Sequence, residues 1–423
     1  MEQHRSPLIV YANFFSDAAV GLAAHEVMAA WAEQAPRKIW LLRPGDVLVT
    51  PVPLSEAFRR YASDLLGVPR ESVAVVTAPP APGLPMAEAL CRAGLLDTLR
   101  RLVAERPGAE LLPVALDAST AAFAARLGLP VAPYGPGGLE RGAVDVAYRL
   151  NTKSGFRTVA ADLGMRIPAG RVCGAEGLRA TVAAMLGGYE RVVVKPDRSA
   201  GGQGLRFLSR SDPAPMPPPE DPAGTWVVEQ CLDVARSVSI QMEVGQAGPH
   251  AVFSGEMRTA GGCYTGYVSP LEDAAQPFVA ELERWGAALG RHLARFGYAG
   301  PYGIDAVIAA DGSLYATESN VRRTATTTAR SMVERLGRAA GLGSPAWLLG
   351  KRPTRSRHDF DDALRLLRTR DLAWDPGRGE GVVLYGDAPA DGRSWRYAVI
   401  ASGRARAAEL EGALAGVMAF EDD

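Results

Sequence analysis

The sequence predicts a protein of mixed α/β and α+β class: an N-terminal parallel α/β domain, a central body of two α+β lobes, and a small C-terminal α+β domain. Three observations predict it. In the first third of the chain, short β-branched runs alternate with stretches of helical periodicity. In the middle, two hairpins turn on glycine, one at Ser199–Gly204 and one at Asp311–Gly312. The last stretch carries a helix, two strands and a final helix. The expected boundaries are 1–140, 141–345 and 346–423.

Taken in order, Pro7–Tyr11 reads as a buried strand that ends in a turn with Asn13, Ser16 and Asp17. In an α/β sheet that is where ligands bind, but helix capping by Ser16 or Asp17 is the preferred account. A helix is expected over Ala18–Gln34, and strands over Lys38–Leu42 and Val47–Val49. Ser55 caps a helix through Leu66, and Val73–Val76 is a further strand. A helix around Ala87–Glu105, a strand over Glu110–Val114 and a helix over Ser119–Leu127 complete the alternation. Tyr134–Gly138 is a linker. A helix carrying Lys153 stops at Gly164, and another spans Glu176–Leu186. Residues 211–222 are a proline-rich loop. Strands follow at Trp226–Gln230, Ser237–Val244 and Ala251–Arg258, then a long helix over Gln276–Phe296. Beyond the second hairpin a helix runs from Thr326 to about Ala340. The tail has a helix over Asp361–Arg370, strands at Gly381–Tyr385 and Arg396–Ile400, and a helix from Arg404.

Composition narrows the function. The chain has 46 basic and 47 acidic side chains, a net charge of −1, so bulk nucleic-acid or anionic-membrane binding is not expected. A small anionic substrate needs only local charge. The four cysteines, Cys91, Cys173, Cys231 and Cys263, are scattered, with no C-x-x-C and no histidine cluster. That fits a reducing cytoplasm and gives no zinc or iron–sulfur pattern. The N-terminus lacks an apolar leader, and no apolar run reaches membrane-spanning length. No Ser-His-Asp or Cys-His setting is visible.

The central stretch, Val192–Leu205, reads V-V-V-K-P-D-R-S-A-G-G-Q-G-L. Valines make a buried strand, Lys195 closes it, and Pro196 stops the ladder. Ser199, Gly201, Gly202 and Gly204 let backbone N–H groups approach an anion closely. Most Gly-Gly turns bind nothing, and this one is neither a Walker A loop nor a dinucleotide fingerprint. The second hairpin says more. Glu318 and Asn320, two apart, share a face, and Asp305 comes opposite them across the Asp311–Gly312 turn. Two carboxylates and an amide oxygen form a hard oxygen set suited to Mg²⁺. A solvated sheet face is the plain alternative, but Tyr302, Val307, Leu314 and Tyr315 mark the hairpin as half-buried. Arg322 and Arg323 follow at once, suited to phosphoryl or carboxylate oxygens.

With these parts in view, the chain resembles the ATP-grasp superfamily over Arg149–Arg338. The resemblance rests on Lys153 in N-T-K-S-G-F-R, Lys195 with its glycine-rich lid, Glu229-Gln230-Cys231-Leu232 as hinge, Asp305, and E-S-N at Glu318–Asn320. More narrowly it is similar to the peptide ligases of pheganomycin-type biosynthesis, by architecture and by its N-x-R-R-T tail. The resemblance implies a pre-ATP-grasp domain, an ATP-grasp fold and a small C-terminal domain. It implies ATP contacts from Lys153, Lys195, Ser199, Gly201, Gly202 and Gly204, with the hinge residues Glu229, Gln230, Cys231 and Leu232 holding adenine. Asp305, Glu318 and Asn320 would bind two Mg²⁺. Arg258, Arg322 and Lys195 would be catalytic, and Arg258, Arg322 and Arg323 would meet substrate. Two departures stand out. Arg236 lies near where relatives place a ribose-binding acid, which leaves Asp233 for that task. Gly303 stands where some amino-acid ligases carry an arginine.

The expected function is an ATP-dependent ligase that joins a carboxylate, such as a modified amino acid, to the amine of an amino acid or peptide through an acyl-phosphate. The alternatives are a small-molecule kinase and an ATP-binding regulatory or scaffold protein with a degenerate site. The partners expected are small molecules, with no nucleic acid and no membrane; a homodimer is compatible with this reading.

Overall fold

The first sheet is parallel, in the order β3-β2-β1-β4, and is built from β1 (Leu8–Tyr11), β2 (Val47–Thr50), β3 (Ala74–Thr77) and β4 (Glu110–Pro113). The computed structural model describes residues 6–14, 16, 28, 31–81, 83–211 and 224–421. Most of the helix expected at Ala18–Gln34, Asp17, and all of the proline-rich loop beyond Ser211 lie outside the described residues.

Local sequence signals account for the helices around this sheet. Ser55 caps α1 (Glu56–Leu66) by accepting from the Phe58 N–H, and Gly67 closes it at φ 63°. The single helix expected over Ala87–Glu105 is two, α2 (Met86–Arg92) and α3 (Leu96–Ala104), because Gly94 adopts φ 70° between them. Asp117 caps α4 (Ala118–Leu127). Asn13 neither caps a helix nor stands free. Its Oδ1 accepts from the Val114 and Ala115 N–H groups, and its Nδ2 donates to Ala115 O and Thr120 Oγ1, tying β1 to the turn after β4.

The strand expected at Lys38–Leu42 is a 3₁₀ segment, Pro36–Leu41. Pro36 sits at its start, where a missing N–H is harmless. The alternation argument fails because Pro36 to Trp40 are all buried, charged side chains included. Trp40 fixes the segment: its indole N–H donates to Tyr385 O at 2.8 Å, and its ring meets Phe58 and Tyr61 edge-on. Trp40→Ala is expected to cost about 3–5 kcal/mol, read as a lower thermal midpoint, because the void opens where the first and last parts of the chain meet.

Next come α5 (Arg141–Leu150) and α6 (Lys153–Asp162), where one helix was expected, then β5 (Gly170–Gly174) and α7 (Leu178–Gly188). Strands β6 (Arg191–Pro196), β7 (Arg206–Ser209) and β8 (Thr225–Gln230) join β5 in a small antiparallel sheet, order β5-β8-β6-β7. A larger antiparallel sheet follows, from β9 (Val234–Gly245), β10 (Gly248–Ala260), β11 (Cys263–Ser269), β12 (Gly300–Ala309) and β13 (Leu314–Asn320). Helix α8 (Val279–Arg295) packs across it with Leu282, Leu289 and Leu293 inward. Helix α9 (Ala325–Ala339) begins at Thr324, whose side chain and that of Thr327 cap each other's backbone N–H.

Sequence patterning did not mark β11 or β14 (Ala346–Pro353). Their consequence is large. β14 pairs with β11 on one side and β16 (Ser394–Ala401) on the other, with β15 (Gly381–Leu384) at the edge. One eight-stranded sheet, β13-β12-β9-β10-β11-β14-β16-β15, therefore runs from the second hairpin into the C-terminal region. Helices α10 (Phe360–Thr369) and α11 (Arg404–Met418) belong to that region. No helix among the described residues is long and apolar enough to cross a membrane.

Candidate active site

Register brings the acidic hairpin together. β12 and β13 pair Asp305 with Glu318 and Gly303 with Asn320, so the three oxygen-bearing side chains share one face. The Asn320 amide donates to Asp305 Oδ2 at 2.8 Å. Burial, then the Glu318 charge, pushes the Asp305 carboxyl well up. Burial also pushes Glu318 up, but Lys153, Arg322 and Lys195 outweigh it and hold that carboxyl down. The two carboxyls are thus pushed in opposite directions, Asp305 up and Glu318 down.

Among the described residues, no group of three or more His, Cys, Asp or Glu could hold a metal by itself. Two half-buried carboxylates with the Asn320 side chain beside them do fit Mg²⁺, which takes one or two protein carboxylates and completes its shell with phosphate and water. Asp305, Glu318 and Asn320 are the residues that would hold it.

The cations converge from separate elements. Thr152 caps α6 by accepting from the Gly155 N–H, which sets Lys153 at the first helical position, 7% exposed. Its ammonium donates to Ser199 O at 3.2 Å and Ser199 Oγ at 3.0 Å, and lies 3.5 Å from Glu318 Oε2. Lys153 therefore joins the base of the glycine loop to the acidic hairpin. Burial lowers its pKa, Glu318 restores part of the loss, and Lys195 adds to it. Lys195 is ion-paired with Glu229, which also pairs with Arg157. The Glu229 side chain, expected only to mark the hinge, is 2% exposed and holds two cations in place. Beside it, the Gln230 N–H donates to Ala169 O and the Cys231 N–H to Arg191 O. Leu232 and Asp233 follow, and Asp233 O accepts from the Ala310 N–H.

Arg322 and Arg258 part company. Arg322 donates to Asn151 Oδ1 at 2.5 Å, and Asn151 also accepts from the Val321 N–H. Burial lowers the guanidinium pKa, while Glu318 and Asp305 raise it, so Arg322 faces the carboxylate pair. Arg258 instead reaches both carboxylate oxygens of Glu411 on α11, at 2.6 and 2.8 Å, and Tyr397 donates to the same group. Arg323 turns to the first domain, its backbone N–H donating to Val114 O, and lines with Arg322, Tyr134 and Tyr298 a small crevice. Arg236 is bound by Glu256 and Glu272.

Two residues that patterning missed belong here. Asn151 lies two positions before Lys153, inside the lysine motif itself. Gln241, on β9, is buried and faces Gly303; a Cβ at Gly303 would stand 2.6 Å from its amide. Gln241 fills the space that an arginine at position 303 would need.

The glycine loop is closed. Gly201, Gly202 and Gly204 have φ of 65°, 83° and 73°, a region that side chains rarely adopt. The Tyr264 N–H donates to Gly201 O at 3.1 Å, and a Cβ on Gly202 would stand 2.1 Å from Gly262 O. The loop thus docks on the β10–β11 turn, while Gln203 Oε1 accepts from the Trp31 indole at 3.3 Å. Gly202→Ala is expected to hold the loop off that turn and lower turnover about a hundredfold; shortening Gly201–Gly204 should do the same. In both, unchanged circular dichroism would show an intact fold, and unchanged turnover would remove the loop from the mechanism.

With this geometry in hand, the comparisons agree on architecture. Residues 35–129 match the family model of the Pre ATP-grasp domain, and residues 362–414 match that of the PGM1 C-terminal domain. No curated protein matches the sequence. Among solved structures, N5-carboxyaminoimidazole ribonucleotide synthetase from Thermus thermophilus aligns at TM-score 0.59 and 15% identity, over 97% of this chain and 98% of that one. L-amino acid ligase from Bacillus licheniformis aligns at 0.57 and 15%, over 100% of both chains. Carboxyaminoimidazole ribonucleotide synthase from Aspergillus clavatus, complexed with ATP, aligns at 0.59 and 11%, over 98% of both. The first domain thus matches the Pre ATP-grasp model over residues 35–129, and the chain shares the fold of these synthetases and of the L-amino acid ligase.

Proposed function

We propose that the chain is an ATP-dependent carboxylate–amine ligase. One observation carries this reading: Asp305 and Glu318 share a half-buried face with Asn320, and of the cations that offset them, Lys153 also touches the glycine loop and Arg322 touches Asn151 before the lysine helix. That is an apparatus for holding a triphosphate, with no nucleophile of its own.

The chemistry needs none. A substrate carboxylate oxygen attacks the γ-phosphorus of ATP, the bond to the β-phosphate oxygen breaks, and ADP leaves with that electron pair. The amine then attacks the acyl carbon, loses a proton, and expels phosphate. Lys153 and Lys195 contact the phosphates, and Arg322 faces the developing charge on the acyl-phosphate. Mg²⁺ held by Asp305, Glu318 and Asn320, two ions in the full reading, would neutralise phosphoryl oxygens. Transfer of Lys195 from Glu229 to a phosphate is a step this resting arrangement requires. We take the acyl donor to be a modified amino acid and the acceptor an amino acid or peptide, in the cytoplasm, with functional segments 1–140, 141–345 and 346–423.

The test is ADP release and product mass spectrometry with Mg-ATP and mixed amino acids and short peptides, with and without hydroxylamine. Acyl-hydroxamate supports the acyl-phosphate; a stable phosphorylated product would show a kinase. ATP binding without turnover on any pair would show a degenerate site.

A further inference from the structure

Arg37 and Lys38 both lie at the Phe14 ring, Arg37 also lies over Tyr385, whose N–H donates to Arg396 O, and none of the three is ion-paired with a carboxylate among the described residues. Arg37 is 6% exposed, and its Nε has no hydrogen-bond partner among those residues. Its guanidinium donates to Gln34 Oε1 at 2.8 Å and lies over the rings of Phe14 and Tyr385, at 5.5 and 6.0 Å. Lys38 is fully buried; its ammonium donates to Thr328 Oγ1 and lies 5.4 Å from the Phe14 ring. Arg396, on β16, stands opposite Lys351 of β14, and Gly386 lies against its stem. Burial, then the Arg37 charge, lowers the Arg396 guanidinium to about 10, and the Glu33 and Asp391 carboxylates oppose this. Burial, then Arg37 and Arg323, lowers the Lys38 ammonium well below its usual range.

Cations gathered out of water without a counter-ion are unfavourable, and a bound anion removes the penalty. The place is built by all three parts of the chain: Arg37 and Lys38 from the first domain, Tyr264 of β11 and Thr328 of α9 from the centre, Tyr385 and Arg396 from the C-terminal region. The Tyr264 hydroxyl is buried without a partner among the described residues, and its backbone N–H holds the closed glycine loop. Burial raises the pKa of that hydroxyl, the Arg37 charge lowers it, and Tyr385 and Asp305 raise it.

We propose that Arg37, Lys38 and Arg396 form a second anion site beside the nucleotide centre, which takes the free carboxylate of the amine substrate. This rests on the ligase reading above. The donor's carboxylate has to reach the γ-phosphate over Asp305 and Glu318, where it is consumed. A second anion site therefore serves a group carried on the other substrate, away from its reacting atom. An amino acid or peptide that offers its amine carries such a carboxylate at its far end. Lys351 is exposed, Arg396 is partly exposed and Arg37 is 6% exposed, so the positive charge runs from the surface inward.

The experiment uses the full chain with Mg-ATP, a constant pool of the twenty amino acids as donors, and dipeptide acceptors supplied either as free acids or as C-terminal amides. Tripeptides are counted by mass spectrometry. Free acids are expected to have a KM at least about tenfold lower than the amides. Arg396→Gln, and independently Arg37→Gln, should raise the free-acid KM about tenfold, lower kcat by less than about threefold, and narrow the gap between acids and amides. Arg396 is partly exposed and has no hydrogen-bonded side-chain partner among the described residues, so its variant folds if Arg37→Gln does not. Equal use of acids and amides by the wild type, or equal losses for both in Arg396→Gln, overturns the proposal. A lack of tripeptide and of ADP in both arms counts against the ligase reading instead. Thermal midpoints with inorganic phosphate then decide the anion site alone: a rise in the wild type that Arg396→Gln lacks retains it, and no rise in the wild type overturns it.

Discussion

Asp305→Asn is expected to lower ADP release by about a hundred- to a thousandfold while leaving the protein at least as stable. The two halves have one cause. In the absence of a cation, Asp305 is a half-buried carboxyl raised by loss of water and by Glu318, so a neutral amide of the same shape removes the cost of its charge. The same change removes the hard oxygen that a divalent ion needs. Activity and thermal midpoint should therefore move apart, as is common where a site stores unfavourable charge for function. Calorimetry with Mg-ADP should show weaker nucleotide binding in the same variant. A variant with full activity would exclude Asp305 as a ligand; one that is inactive because it unfolds would show that the carboxylate has a structural task.

The second large effect concerns Glu229. Its carboxylate is 2% exposed, between the side chains of Arg157 and Lys195, which are 11% and 12% exposed. Glu229→Ala leaves two nearly buried cations facing each other, and breaking a buried pair from one side costs about 3–5 kcal/mol. The expected result is a marked fall in thermal midpoint, with loss of the small sheet's protection from hydrogen exchange. Because the loss comes from uncompensated charge, Arg157→Met in the same chain should recover a large part of it. If the double variant is no better than Glu229→Ala, the destabilisation comes from lost packing at the hinge, and the charge account fails.

Legibility in the sequence followed the range of the interaction. Helix ends set by neighbouring residues were readable: Ser55 and Thr324 cap where their side chains reach an N–H three residues on. The acidic hairpin was readable in its Asp-Gly turn and in the two-residue spacing of Glu318 and Asn320, but the pairing of Asp305 with Glu318 also depends on a register shift between Asp305 and Ala306 that the sequence did not mark. The Pro36–Leu41 segment was misread as a strand because its burial on every side depends on Phe58, Tyr61 and Tyr385, from distant parts of the chain. β11 and β14 were missed because their polar and glycine residues do not alternate cleanly, and pairing across the sheet gives them their state.

The sequence by itself determined the class of fold, the two hairpins, and the residue types that a magnesium-triphosphate site needs. Those are consequences of backbone preference and of spacing along the chain. Only the tertiary structure decided how the cations are shared. It set Arg322 on Asn151 toward the carboxylates, tied Arg258 to Glu411, locked Lys195 to Glu229, and brought Arg37 and Lys38 to the Phe14 ring outside any ion pair among the described residues. A guanidinium or ammonium on a long flexible stem takes its place from charges brought near by folding, and sequence separation says nothing about which of them will be there.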